Sequence, residues 1–175
     1  DAGNRIILHF DPNGTLLSRI GEKDEARQIP GFVVPSPCFD IALDSQGDLW
    51  AVNPGKHGLE NYRSNGDLVT SWYRPGMGLA DFCGCCNPIH IAFLSNDAVV
   101  TVEKGLNRVK VYAPDTSFLG VVAAPENIQD PEHAATCTEP SPIKGLAVDS
   151  LDRVLVLDVR QQAIRVFEKK PAGQD

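Results

Sequence analysis

Short apolar runs separated by turn residues organise this chain. Asp48–Asn53, Ala98–Glu103 and Arg153–Asp158 are brief segments rich in Val, Leu and Trp, the make-up of buried strands. Arg108–Tyr112 and Ala163–Phe167 alternate polar and apolar side chains, the period of two expected of a half-buried strand. Between such runs stand Asn13-Gly14, Gln46-Gly47 and Asn65-Gly66, and Asn-Gly supplies the positive φ values that tight hairpin turns require.

The runs repeat. Segments that open on an acidic residue or Asn and end nine positions later on an aromatic ring start at residues 1, 53, 103 and 158: Asp1 to Phe10, Asn53 to Tyr62, Glu103 to Tyr112, Asp158 to Phe167. A second column keeps the same register. Ile41-Ala42-Leu43, Ile91-Ala92-Phe93 and Leu146-Ala147-Val148 each begin 12 residues before the matching position. One repeat offers four strands: an inner one at Ile41, a second at Leu49, a third at Leu59 and an outer one at Leu68. A four-stranded meander recurring at roughly 40–50 residues is the pattern of a propeller blade. The expected fold is therefore all-β, a single propeller arc of four-stranded antiparallel blades. Its segments are 1–37 (third and outer strands), 38–87 and 88–140 (whole blades) and 141–168 (three strands), followed by a tail at 169–175. Such an incomplete ring has raw strand edges. Further blades, from the same or another chain, are expected to complete it.

Asp1-Ala2-Gly3-Asn4-Arg5 leading into a strand that ends at Phe10, together with Glu103-Lys104-Gly105-Leu106-Asn107-Arg108 leading to Tyr112, resembles the NHL-repeat family. The segment Phe82-Cys83-Gly84-Cys85-Cys86-Asn87-Pro88, with Glu103-Lys104-Gly105, resembles a Cys-rich subgroup of it. The resemblance implies a propeller, often six-bladed, that binds partners or substrates on one face. It identifies a scaffold and carries over no activity.

Charge narrows the partners. The formal net charge is −7 and the pI about 5.0, which disfavours nucleic acid and anionic membranes. Hydrophobic residues make up 42% of the chain, enough for a core, and no run reaches the roughly 18 apolar residues of a membrane span. The opening at Asp1 carries no secretory signal and reads as a position inside a longer protein.

The five cysteines bear the most chemistry. Cys38, Cys83, Cys85, Cys86 and Cys137 all fall in crossings from an outer strand to the next inner strand, which blade geometry places on one rim. Second-to-third strand loops open on that rim with Lys56, His57, Lys104, Asn107, Arg160 and Gln161, and His90 stands just before an inner strand. One reading of the sulfurs is disulfides in an exported protein, periplasmic or secreted. A second is a metal or iron–sulfur site, with zinc, calcium or an iron–sulfur cluster as candidate cofactors. The Cys-x-Cys-Cys spacing departs from the common Cys-x-x-Cys. A third is a redox-active thiol near Lys and Arg. Glu103, Arg108 and Arg5 occupy repeat positions and read as ion pairs between blades. Trp50 and Trp72 read as packing, and Asn13-Gly14-Thr15 as a turn that also matches a glycosylation sequon.

Two functions follow. The first is a binding module that presents Lys56, His57, His90, Lys104, Asn107 and Arg160 to a protein, peptide or glycan. The alternative is a metal-dependent propeller enzyme, lyase- or lactonase-like, with Asp40, His90 and Lys144 at equivalent inner positions around the channel mouth. No nucleophile elbow, phosphate loop or dinucleotide fingerprint is present.

Overall fold

The architecture comes from a computed structural model, which describes residues 1–35, 37–128 and 141–170. Thirteen strands are described: β1 (Ile7–Phe10), β2 (Leu16–Ile20), β3 (Ile41–Leu43), β4 (Leu49–Asn53), β5 (Gly58–Tyr62), β6 (Leu68–Tyr73), β7 (His90–Phe93), β8 (Val99–Glu103), β9 (Arg108–Tyr112), β10 (Phe118–Ala123), β11 (Ile143–Val148), β12 (Val154–Asp158) and β13 (Ala163–Phe167). They form antiparallel sheets in chain order: β1-β2, β3-β4-β5-β6, β7-β8-β9-β10 and β11-β12-β13. The strand starts at Ile41, Leu49 and Leu68 match the sequence reading, and so does the division into two whole and two partial blades. Helix among the described residues is confined to a 3-10 turn at Pro54–Lys56 and one short helix, α1 (Pro125–Ile128).

The chain divides into two compact units, residues 1–91 and 92–175, with the boundary inside β7. In the first unit, Ile7 and Ile20 of β1-β2 bury against Ala51 and Tyr62 of the next sheet. Ile29, Phe32 and Val34, from the long segment between β2 and β3, close the cluster. Phe32 meets Phe39 and Tyr62 edge-to-face, with ring centroids 4.9 and 5.6 Å apart. The third strand of this blade, β5, is buried at all five residues. Gly58 opens that strand because a Cβ there would stand 2.0 Å from the Trp72 carbonyl oxygen across the sheet. In the second unit, Val100, Val102 and Val109 are fully buried in one sheet and Val156 in the other. Ser95 N–H and Oγ donate to the Asp152 carboxylate at 2.7 and 2.6 Å.

The hairpin turns differ from the expected form. At Asp11–Thr15 the Asp11 N–H donates to the Thr15 carbonyl, and the Gly14 N–H donates to the Asp11 carbonyl. Only Gly14 takes positive φ, +86°, and Asn13 does not. Equivalent residues are Gly47 (+80°), Gly66 (+88°), Asp97 (60°), Thr116 (69°) and Asp152 (58°). Each turn is thus a three-residue loop closed by one left-handed residue, so Gln46-Gly47 serves as well as Asn-Gly.

Trp50 is not a purely apolar filler. Its indole N–H donates to Asp44 Oδ2 at 2.9 Å, whereas Trp72 packs edge-on to Phe82.

Candidate functional site

The inner strands β3 and β7 each begin one residue after, or at, a polar side chain. Asp40 precedes Ile41, and His90 opens β7. These two meet: His90 Nδ1 lies 3.0 Å from Asp40 Oδ2. The same carboxylate accepts the N–H groups of Ile41, at 3.0 Å to Oδ1, and Ile91, at 3.3 Å to Oδ2. One aspartate therefore ties together the starts of two successive inner strands. The pair is not sealed, since the Asp40 side chain is 30% exposed and His90 16%.

The neighbouring crossings carry sulfur. Cys38 is half-buried two residues before Asp40. Ahead of His90, Cys83 is half-buried, Cys85 exposed and Cys86 buried. The Cys85 and Cys86 sulfurs stand 3.0 Å apart. Among the described residues no disulfide joins Cys38, Cys83, Cys85 or Cys86 to one another, and no three His, Cys, Asp or Glu side chains converge as a metal-ligand set. Cys137 lies outside the described residues. Asn87, buried behind this segment, donates from Nδ2 to the Cys83 carbonyl at 2.6 Å.

The expected rim side chains have varied situations. Lys56 Nζ lies 3.6 Å from buried Glu60 Oε1 and 5.6 Å from the centre of the Tyr73 ring, so it serves the blade interior. His57 is half-buried in the left-handed region (φ 58°), with Nδ1 enclosed and without a hydrogen-bond partner. Asn107 is buried, and its Oδ1 accepts the Ser141 hydroxyl at 2.8 Å. Arg160 is exposed, and its backbone N–H donates to Asp158. Lys104 is half-buried in the turn between β8 and β9. Arg5, His57, Asn107 and Gln162 occupy the same repeat position and all take positive φ, 46° to 58°. That column is set by the turn, whatever its side chain does.

Lys144 is not equivalent to Asp40 and His90. Ile41 pairs with Ala51 and Leu146 with Val156, so the matching position is Gly145; an irregularity between Ile143 and Gly145 shifts Lys144 out of step. Glu103 and Arg108 are also not a contact between blades. They sit directly opposite each other on β8 and β9, with Arg108 Nε 2.7 Å from Glu103 Oε2.

Sequence reasoning overlooked a polar column one layer in. Asn53 with Glu60, Glu103 with Lys110 and Asp158 with Arg165 share a seven-residue spacing, and each pair is in contact. Glu60 is fully buried. It accepts from Asn53 Nδ2 at 2.9 Å, from the Tyr62 hydroxyl at 2.6 Å and from the Tyr73 hydroxyl. Burial, and then the Glu60 carboxylate, push both phenols well above the ordinary tyrosine range. The seven-residue recurrence was the available signal.

No protein-family model matches the chain, and no curated protein sequence does. Solved structures do match. A catalytically inactive virginiamycin B lyase from Staphylococcus aureus, with quinupristin, is 14% identical over 94% of this chain and 46% of its own, at a TM-score of 0.58. A streptogramin B lyase is 14% identical over 91% of this chain and 43% of its own, at 0.56. A protein from Bacteroides caccae, of unknown function, is 14% identical over 87% and 48%, at 0.53. The fold is that of a β-propeller. This propeller chain spans about half the length of the structures it matches. At such identity the likeness concerns the fold alone.

Proposed function

We propose that this chain is a ligand-binding portion of an NHL-type propeller, whose ligand, a peptide or glycan, docks on the rim where β3 and β7 begin. The observation that carries this reading is the Asp40–His90 pair. It joins two successive inner strands at 3.0 Å yet stays partly exposed. A carboxylate and a ring nitrogen held in one geometry orient a polar ligand, and Nδ1 is committed to Asp40 while Nε2 is left for the ligand. Further blades, from this protein or another chain, complete the ring. Leu157, Ile164 and Val166 on β12-β13 support this, as large apolar side chains 41%, 63% and 49% exposed. An extracytoplasmic setting, periplasmic or secreted, accords with five cysteines in one short chain.

Peptide and glycan arrays probed with wild type, Asp40→Asn and His90→Gln test the reading. Selective retention by wild type, weakened at least about tenfold (about 1.4 kcal/mol) in either variant, is the expected result. Equal retention by all three, or no selective retention, overturns it.

A second reading, a lyase-like enzyme, is supported by the likeness to virginiamycin B lyase and by the same pair. A carboxylate that orients an imidazole is a recurring arrangement for moving protons. Because no three metal ligands converge among the described residues, no step is assigned to a metal. Incubation with quinupristin, followed by chromatography, tests it. Consumption by wild type and not by His90→Gln supports the reading, and unchanged quinupristin removes it.

A further inference from the structure

We propose that Cys85 and Cys86 form a redox-active vicinal dithiol that closes reversibly to a disulfide between adjacent residues. The two sulfurs are 3.0 Å apart, inside the contact distance of two sulfur atoms and about 1 Å from the roughly 2.0 Å of a bond. A bond between adjacent residues closes a small, strained ring, which by itself favours bonds to other loops. The structure instead brings these two sulfurs together within one loop.

The surroundings hold that loop at both ends. Phe82 is fully buried, its ring against Trp72 and its N–H donating to the Arg74 carbonyl at 2.8 Å. Gly84 turns the chain at φ +82°, and Asn87 Nδ2 clamps the Cys83 carbonyl. Cys86 through Ile89 are buried, leading into β7. Cys85 alone among the three sulfurs of this loop is exposed. That asymmetry gives the two thiols different roles: an accessible attacking group and a sheltered resolving one.

The oxidant is a small soluble disulfide such as oxidised glutathione. The Cys85 thiolate attacks one of its sulfurs, forming a mixed disulfide and expelling one glutathione thiolate, which takes up a proton. Cys86 then loses its proton to solvent and attacks Cys85 Sγ, forming the Cys85–Cys86 bond and expelling the second glutathione. The two cysteines are oxidised by two electrons, and one glutathione disulfide is reduced to two thiols. Excess reduced glutathione runs the sequence backward. The ring closes four residues before His90, so it changes the rim beside the Asp40–His90 pair. The chemistry itself does not depend on what that pair binds.

The test uses the full chain, equilibrated over a series of reduced-to-oxidised glutathione ratios, quenched with iodoacetamide and digested with trypsin. The peptide from Ser64 to Lys104 carries Cys83, Cys85 and Cys86. Under reducing conditions it should carry three alkyl groups. Under oxidising conditions it should carry one, on Cys83, and be lighter by two hydrogens, reversibly. Cys85→Ser, at an exposed site, should abolish the two-hydrogen loss while leaving the circular dichroism spectrum unchanged. The proposal is overturned by full alkylation at every ratio. It is equally overturned by a bond that includes Cys83, by a cross-link to Cys38 or Cys137, or by persistence of the two-hydrogen loss in Cys85→Ser.

Discussion

Glu103 and Lys110 are both fully buried, with Nζ 3.2 Å from Oε1, and Arg108 takes the other oxygen at 2.7 Å. Removing the anion takes the carboxylate away from a buried ammonium, whereas removing the ammonium leaves Glu103 paired with Arg108. Glu103→Ala should therefore lower unfolding free energy by about 3–5 kcal/mol, read from urea denaturation. Lys110→Met should cost less than half of that. Equal losses would show that the pair does not act as described. The sequence hid this arrangement for a definite reason. Alternation along Arg108–Tyr112 reads Lys110 as solvent-facing, but β9, like β5, is covered on both faces, and Lys110 is enclosed with Val109 and Tyr112. Asp40 and His90 were visible as residues at inner-strand starts. Their contact was not, because it joins positions 50 residues apart.

At the scale of turns and strands, the repeat columns were informative and the turn geometry less so. Recurring aromatic and acidic positions located the strands because each blade repeats one buried layer. The turns share a hydrogen-bond pattern that does not require Asn-Gly, so residues such as Thr116 fill the left-handed position. A β-branched residue is strained there. Thr116→Gly should raise stability by about 0.5–1 kcal/mol, measured by denaturation; a loss would mean that the Thr116 side chain outweighs its backbone strain. The turn aspartates set a pH dependence. Backbone N–H donation from Arg153 to Asp149 and from Thr15 to Asp11 holds both carboxyls below 3.8, and hydrogen bonds from Ser95 do the same for Asp152. The unfolded chain binds protons more readily than the folded one in this range. The contribution of these carboxylates is fully present above about pH 4 and is lost as pH falls through the lowered values. Thermal midpoints should be flat from pH 7 to about 5 and fall below about 4, and Asp149→Asn should make that fall shallower.

At the scale of the whole molecule, the sheets that carry fewer than four strands decide behaviour in solution. β13 pairs with β12 on one side, and among the described residues no strand pairs with its other edge. Ile164 and Val166, two residues apart on one face of β13, are exposed, and Leu157 lies opposite Ile164. A flat edge with apolar side chains is a template for pairing with another chain. The chain by itself should therefore associate with rising concentration, seen as an increase in weight-average mass by light scattering. Ile164→Lys with Val166→Lys should suppress the increase without altering the strand signal in circular dichroism, because both positions face outward. Lysine on that face places positive charges where a neighbouring strand or blade would have to desolvate them. If the double variant associates as strongly as wild type, β13 is not the contact, and β2, with Leu16 and Leu17 exposed on the two-stranded sheet, becomes the edge to charge next.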